Sequence, residues 1–221
     1  MKRCLVINPN TTGAVTEIVV AACQRAQPGV QWEGVTARFG AAYIADEAAY
    51  AQAAPAALDA YEAFHDGHDA VLLACFGDPG LLALREQSRV PVIGLAQSSF
   101  EAAARRGRFA VVTGGHAWAP MLARFACEHR LDERLVGIHT IDWTGARIAA
   151  DPEGALDALV AASQLGIDAG AECILLGGAA LAGLAPSLQP RLSVPVLDNV
   201  LLAAQAVADT LISSTPKEKQ P

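Results

Sequence analysis

The sequence predicts an α/β protein made of two related halves, each a small, mostly parallel sheet flanked by helices. Short apolar runs rich in Val, Ile and Leu recur along the chain, and each is followed by a turn and an Ala-rich stretch. Near-continuous apolar strands that alternate with helices are typical of parallel sheets covered on both faces. Segments of the first part of the chain also reappear about a hundred residues later, which indicates a duplicated architecture.

The apolar runs predict eight strands, of which the first contains the run LVI and is ended by Asn8-Pro9-Asn10. The predicted strands span residues 3–8, 31–37, 70–74, 92–95, 109–113, 135–140, 173–176 and 196–198. The stretches after them predict helices at residues 12–26, 46–65, 79–87, 100–106, 120–129, 152–169, 181–188 and 199–212. The tail SSTPKEKQP, residues 213–221, is polar and contains proline, so we expect it to be disordered.

The internal repeat pairs the third predicted strand with the seventh. The segment VLLACFGDPGL, residues 71–81, resembles CILLGGAALAGL, residues 173–184, and each is followed by a Val-Pro-Val strand start. Alignment on the Gly-Leu pair that ends both segments places Cys75 opposite Gly178. The first strand region, LVINPNTT, resembles AVVTGGHA of the fifth strand in the same way.

The repeat divides the chain into two expected domains. One comprises residues 1–97 together with 201–221, and the other comprises residues 98–200. Ligands of parallel sheets bind beyond the carboxyl ends of the strands, so we expect a site between the halves. The segments expected to line it are residues 8–12, 75–80, 113–116 and 177–183.

Composition excludes several classes of function. The 221 residues are 52 % hydrophobic and carry a formal net charge of −7 without a basic block, which argues against a nucleic-acid partner. No apolar run is long enough for a bilayer or for a signal peptide, so we expect a cytoplasmic protein that does not bind membranes. The five cysteines form no CxxC pair and the histidines show no ligand spacing, so we expect no disulfide framework and no metal. The glycine spacing matches no phosphate-binding loop.

Cys75 is the candidate reactive residue, because it ends a buried strand directly before the turn Gly77-Asp78-Pro79-Gly80. With Asp78 as N-cap and Pro79 at the first helical position, the thiol would lie near a helix N-terminus, which favours the thiolate. The charge of Asp78 opposes this effect, so the sequence leaves the direction of the pKa shift open. The alternative is a buried structural cysteine.

The segments VINPNTT, ACFGDPGL, VPVIGLAQ, the VVT strand end and LLGGAALAGLA resemble the aspartate/glutamate/hydantoin racemase superfamily, and the hydantoin racemase branch most closely. The resemblance runs from residue 3 to residue 208. It implies an enzyme with two pseudo-symmetric halves, no cofactor, a small-molecule substrate with a hydantoin-like ring or a carboxylate, and a homo-oligomeric state. It also implies two cysteines that face each other across the substrate's α-carbon.

The chain departs from that pattern at the second thiol. Cys75 matches the first cysteine, whereas Gly178 stands where the second is expected. Cys173 does not replace it, because it lies five residues earlier in the chain, about 16 Å along an extended strand. We therefore expect an enzyme with a single catalytic cysteine rather than a symmetric racemase.

Three kinds of chemistry remain open for such an enzyme. Cys75 acts as the only acid or base, as in a decarboxylase, tautomerase or isomerase, or it acts as a nucleophile in hydrolytic or desulfurising chemistry. The third possibility is a racemase in which another group replaces the missing thiol. His116 is the candidate for that group, because a histidine side chain titrates near neutrality. The competing class is a small-molecule binding protein without activity.

The remaining candidate residues bind the substrate. Backbone N–H groups after Cys75 and around Gly178 suit a carboxylate or an enolate-like oxyanion. The resemblance adds side-chain donors near the first strand and a segment that closes over the site. The predicted binding residues are Asn10, Thr11, Tyr43, Phe76, Gly77, Thr113, Gly178 and Ala179.

Overall fold

The computed structural model describes residues 1–213, so most of the tail predicted to be disordered lies outside the described residues. The strands are β1 (Lys2–Asn8), β2 (Val30–Thr36), β3 (Ala70–Leu73), β4 (Val92–Gly94), β5 (Phe109–Gly114), β6 (Leu135–Ile141), β7 (Cys173–Leu176) and β8 (Val196–Asp198). The helices are α1 (Gly13–Ala26), α2 (Glu47–Phe64), α3 (Leu81–Gln87), α4 (Leu95–Arg106), α5 (Trp118–Glu128), α6 (Gly145–Ala150), α7 (Leu156–Asp168), α8 (Ala185–Leu188) and α9 (Asn199–Ser213).

All eight predicted strands are present, and the predicted α/β fold class with two sheets is confirmed. The helices agree less well. α6 was not predicted, and the single helix predicted for residues 181–188 is a 3₁₀ turn (Ala179–Leu181) followed by the four-residue α8. α4 begins at Leu95 instead of residue 100, because a carboxylate from another loop caps its first turn.

Each half contains one four-stranded parallel sheet. The strand orders are β2-β1-β3-β4 and β6-β5-β7-β8, so the two halves repeat the same topology. In β1 and β3, Ile7 pairs with Leu73, and in β5 and β7, Val112 pairs with Leu176. The residue after each of these strands donates its N–H group in an equivalent way. Ala74, after β3, donates to the Ile7 carbonyl of β1 over 2.8 Å, and Gly177, after β7, donates to the Val112 carbonyl of β5 over 2.9 Å. Cys75 and Gly178, one residue further on, therefore occupy equivalent positions.

The last helix of each half crosses to the other half. α4 follows β4 but packs against β5 and β7, and α9 follows β8 but packs against α1, β3 and β4. The two helices also pack against each other, and the Phe100 ring of α4 contacts the rings of Phe76, Phe109 and Phe125. This exchange holds the halves together around one apolar core. The exact domain boundaries, 1–97 with 201–221 and 98–200, stay a prediction.

None of the helices within residues 1–213 combines the length and the apolar character that a membrane crossing requires.

Candidate functional site

A cavity of about 80 Å³ lies between the two halves, where the carboxyl ends of the inner strands face each other. The first half lines it with Asn10, which follows β1, and with residues 74–76, which follow β3. The second half lines it with Thr113 and Gly114 at the end of β5 and with residues 178–181 after β7. This is the place where the doubled sheet topology predicts a ligand site.

Cys75 supplies the thiol of the cavity and is 7 % exposed. Burial raises the pKa of this thiol, and the negative charge of Asp78 raises it further. Among the residues that line the cavity, only Cys75 and Tyr43 have ionisable side chains, so no cation in the lining stabilises a thiolate. Both effects favour the neutral thiol over the thiolate, so the pKa of Cys75 shifts upward, the direction that the sequence left open.

The turn after Cys75 differs from the prediction. α3 begins at Leu81 with Gly80 as its N-cap, so the expected N-cap Asp78 and first helical residue Pro79 are wrong. Asp78 has a left-handed φ of 53°, and its carboxylate accepts hydrogen bonds from the N–H groups of Ala96 and Gln97 in α4. The carboxylate caps a different helix from the one predicted, and no helix N-terminus is directed at the thiol by this turn.

The wall opposite Cys75 is formed by main chain. Gly178 has a φ of 122° and a ψ of 134°, a conformation that residues with a side chain rarely adopt. Within residues 1–213, the N–H groups of Gly178, Ala179 and Ala180 donate no hydrogen bond, and all three residues line the cavity. A row of free donors of this kind suits a carboxylate or a developing oxyanion. The Thr113 hydroxyl lies beside it, 3.7 Å from the position that a Cβ at Gly178 would take.

Asn10 presents a fixed amide to the same cavity. Its Oδ1 accepts from Asn8 Nδ2 and from the Thr12 N–H, both over 2.9 Å. Asn8 is fully buried and also donates to Thr16 Oγ1, so the Asn8-Pro9-Asn10 turn is held by a network of side chains. These bonds use the oxygen of the Asn10 amide and leave its Nδ2 donor for a ligand.

Two aromatic side chains limit the space in the cavity. The Phe76 ring occupies the place where a side chain at Gly177 would lie, so the first half reaches across the cleft at this point. Tyr43 lies in the loop before α2, and its ring is 3.7 Å from the position of a Cβ at Gly145, the first residue of α6. Loops from both halves thus meet over the cavity.

Seven of the ten predicted site residues line the cavity, and three do not. His116 is exposed, with Nδ1 2.8 Å from Thr140 Oγ1 and Nε2 3.7 Å from an Asp142 carboxylate oxygen. Thr11 donates its backbone N–H to Ala41, and Gly77 accepts a bond from Tyr50 outside the cavity. The seven lining residues are Asn10, Tyr43, Cys75, Phe76, Thr113, Gly178 and Ala179.

Two helices, α5 and α6, also contribute to the cavity, and the sequence patterns did not predict this. Gly145 and Ile148 of α6 and Trp118 of α5 line the cavity. Thr144 accepts a bond from the Arg147 N–H, which is a helix N-cap, so a Thr followed by GARIAA was the available signal for α6. Within the part of the chain that the structure describes, no three His, Cys, Asp or Glu side chains lie together as metal ligands.

The fold and the cavity define a pseudo-symmetric two-sheet α/β protein with a cavity between its halves. A family model described as Asp/Glu/Hydantoin racemase matches residues 4–207, so the chain belongs to this family. A hydantoin racemase of Pseudomonas sp. (strain NS671) is 35 % identical over 94 % of this chain and 84 % of its own length.

Two solved structures are similar over nearly the whole chain. The allantoin racemase of Pseudomonas fluorescens has a TM-score of 0.91 and 29 % identity, with 99 % of both chains covered. The allantoin racemase of Klebsiella pneumoniae has a TM-score of 0.89 and 32 % identity, and the match covers 96 % of this chain and 88 % of that one. These relatives are racemases that act on small molecules.

Proposed function

We propose that the protein is a cofactor-independent enzyme that uses Cys75 as its only cysteine acid or base, on one face of a small hydantoin-like or amino-acid-derived substrate. The observation that carries this proposal is the asymmetry of the cavity. One wall offers a thiol, and the equivalent position of the other wall is Gly178, which has no side chain. Transfer of a proton to both faces of a carbon needs an acid or base on each face.

The cavity supports proton transfer at a carbon next to a carbonyl group. Such a reaction places negative charge on the carbonyl oxygen, and the free N–H groups at residues 178–180 and the Asn10 amide are suitable donors for it. A neutral Cys75 thiol is suited to give a proton to the carbon at the opposite face. This favours decarboxylation, in which the carbon that loses carbon dioxide receives a proton, over nucleophilic attack and over removal of a proton from carbon, which both need the thiolate.

The relatives support the substrate class. Hydantoin racemase and allantoin racemase are named for substrates that are small polar rings with several carbonyl and N–H groups. The donors in this cavity are mostly main-chain groups, which match carbonyl oxygens and carboxylates alike. Hydantoins with different C5 substituents and substituted malonates are therefore the first compounds to test.

A racemase with a different second group is the other candidate, and the similarity to hydantoin racemases favours it. Tyr43 is the only other ionisable side chain among the residues lining the cavity. In this case Cys75 serves one face of the carbon and the Tyr43 hydroxyl serves the other.

Deuterium exchange in D₂O separates the two candidates. With one acid or base, the enzyme incorporates deuterium at the reacting carbon or releases carbon dioxide without loss of optical activity. Loss of optical activity together with exchange supports the racemase instead. Cys75→Ala and Cys75→Ser are expected to lower kcat by at least about a hundredfold. Cys127→Ser, which changes an exposed cysteine, is the matched control and is expected to keep the wild-type rate. Full activity of Cys75→Ala would refute the proposal.

A further inference from the structure

The two halves of the protein use a buried carboxylate at the same place but take it from different residues. In the first half, Asp78 of the loop after β3 bonds to the first turn of α4. In the second half, Asp198 at the end of β8 bonds to the first turn of α9, through the N–H groups of Val200 and Leu201, and to the Gly183 N–H of the loop after β7.

The two carboxylates come from positions that are not equivalent in the two halves. By the strand register, Gly94 is the equivalent of Asp198, since Leu73 pairs with Gly94 and Leu176 pairs with Asp198. The Asp78 carboxylate fills the space that a side chain at Gly94 would occupy. Only the first half therefore carries the carboxylate on the same turn as the thiol, three residues after Cys75.

We propose that Asp78 is a positioning residue for Cys75, which fixes the thiol-bearing turn against α4 and places a negative charge beside the thiol. The turn is closed tightly, because the Cys75 carbonyl accepts the N–H groups of both Gly77 and Asp78, over 2.9 and 3.1 Å. Asp78 itself is buried and bonded to Ala96 and Gln97, so the turn cannot shift without breaking the cap of α4. This inference rests on the proposed role of Cys75 as a proton donor.

Burial is the larger cause of the raised pKa of the Cys75 thiol, and the charge of Asp78 adds to it. Burial raises the pKa of Asp78 to about 7, against the opposing effect of its bonds to α4, so the carboxylate is largely charged above neutral pH. A charged Asp78 then raises the pKa of Cys75. The other titratable groups around this turn are Tyr50 of α2, Arg85 of α3, and Glu128 and His129 of α5 across a surface groove.

The test is the rate of alkylation of Cys75 by iodoacetamide in the substrate-free protein, followed by peptide mass spectrometry from about pH 6 to about pH 10. The raised pKa places the midpoint of the thiol above this range, and a shift of the midpoint is obtained from the rate, which below the midpoint is proportional to the thiolate fraction. Asp78→Asn removes the charge and is expected to lower the midpoint by at least about one pH unit. The alkylation rate below the midpoint then rises about tenfold. Asp198→Asn is the matched control: it weakens the equivalent cap in the half without the thiol and is expected to leave the midpoint unchanged.

A second variant covers the case in which Asp78→Asn does not fold. Asp78→Gly accepts the left-handed φ of 53° without strain and also removes the charge, so the same lower midpoint is expected. An unchanged midpoint in a folded Asp78→Asn or Asp78→Gly variant, or an equal drop in Asp198→Asn, would each overturn the inference.

The alkylation experiment needs no substrate, so its outcome is independent of the activity assays. An active Cys75→Ala variant would refute the proposed function while the alkylation data still report on Asp78. Conversely, an unchanged midpoint in Asp78→Asn would leave the proposed role of Cys75 intact.

Discussion

Replacement of Gly178 by cysteine tests whether the missing thiol limits the chemistry of the cavity. Gly178 is the structural equivalent of Cys75, and a Cβ built on it meets no backbone atom within 4 Å. Its nearest neighbours are Leu181 Cδ1 at 3.2 Å and Thr113 Oγ1 at 3.7 Å, both at the ends of side chains. A side chain at Gly178 therefore requires the end of the Leu181 side chain to move by a few tenths of an ångström. With that shift, Gly178→Cys is expected to introduce or increase racemisation of a chiral hydantoin.

The backbone of Gly178 sets the cost of this change. A residue with a side chain at a φ of 122° stores about 1–3 kcal/mol of strain. In a protein of this size, each kcal/mol lowers Tm by about 2–4 °C, so the expected drop is about 2–12 °C. Gly178→Ala carries the same strain without the thiol and serves as the control for stability and for loop distortion.

The assay measures optical rotation and deuterium incorporation in D₂O for wild type, Gly178→Cys and Gly178→Ala. Racemisation that increases in the cysteine variant alone supports the view that the second wall lacks an acid or base. Equal racemisation in wild type and in the cysteine variant, with both folded, would show that another group already serves that face. If racemisation increases in Gly178→Ala as well, a displaced loop rather than the new thiol is the cause.

Two further predictions concern the walls of the cavity. Asn10→Ala removes the acceptor of Asn8 and Thr12 and is expected to destabilise the protein by about 1–3 kcal/mol and to raise KM about tenfold. Asn10→Asp keeps the acceptor oxygen, so a loss of binding with a smaller loss of Tm would identify the Nδ2 group as the substrate donor. Gly177→Ala is expected to cost about 1–3 kcal/mol in chemical unfolding, because the new methyl group overlaps the Phe76 ring. A similar cost in a Phe76→Ala background would show that this contact is not the cause.

The strands were predictable because burial on both faces leaves a direct mark on the sequence. β3 and β7 are four buried apolar residues each, bounded by polar or glycine-rich turns, and the repeat between them is visible in the letters alone. The repeat also predicted that Cys75 and Gly178 are equivalent, since the length of the turn is the same in both halves. The lining of the cavity by Cys75 and Gly178 followed from the topology.

The hydrogen-bond partners of the side chains that follow the strands could not be predicted from local sequence patterns. Asp78 followed by Pro79 is a typical helix start, yet its carboxylate turns to α4 because Gly94 leaves a space that only the folded sheet creates. His116 follows β5 near the cavity in sequence, but its ring bonds to Thr140 of the neighbouring strand β6. In both cases a long-range contact decided the direction of a side chain whose position along the chain was predicted well.

The asymmetry of the cavity follows from how the two halves share one narrow space. Phe76, the residue after Cys75, extends across the cleft and occupies the side-chain position of Gly177. The Phe76 ring therefore packs directly against the main chain of the second half, and residue 177 is a glycine because a side chain there would overlap the ring. The following residue, Gly178, has a φ of 122°, and among residues 1–213 the N–H groups of residues 178–180 at the cavity find no acceptor. In the proposed function, the first half contributes a side chain that transfers protons, and the second half contributes main-chain donors that bind charge. A chain that had merely lost a thiol would need only one glycine, whereas the glycine pair, the Phe76 ring and the free donors fit a site shaped for chemistry on one face of the substrate.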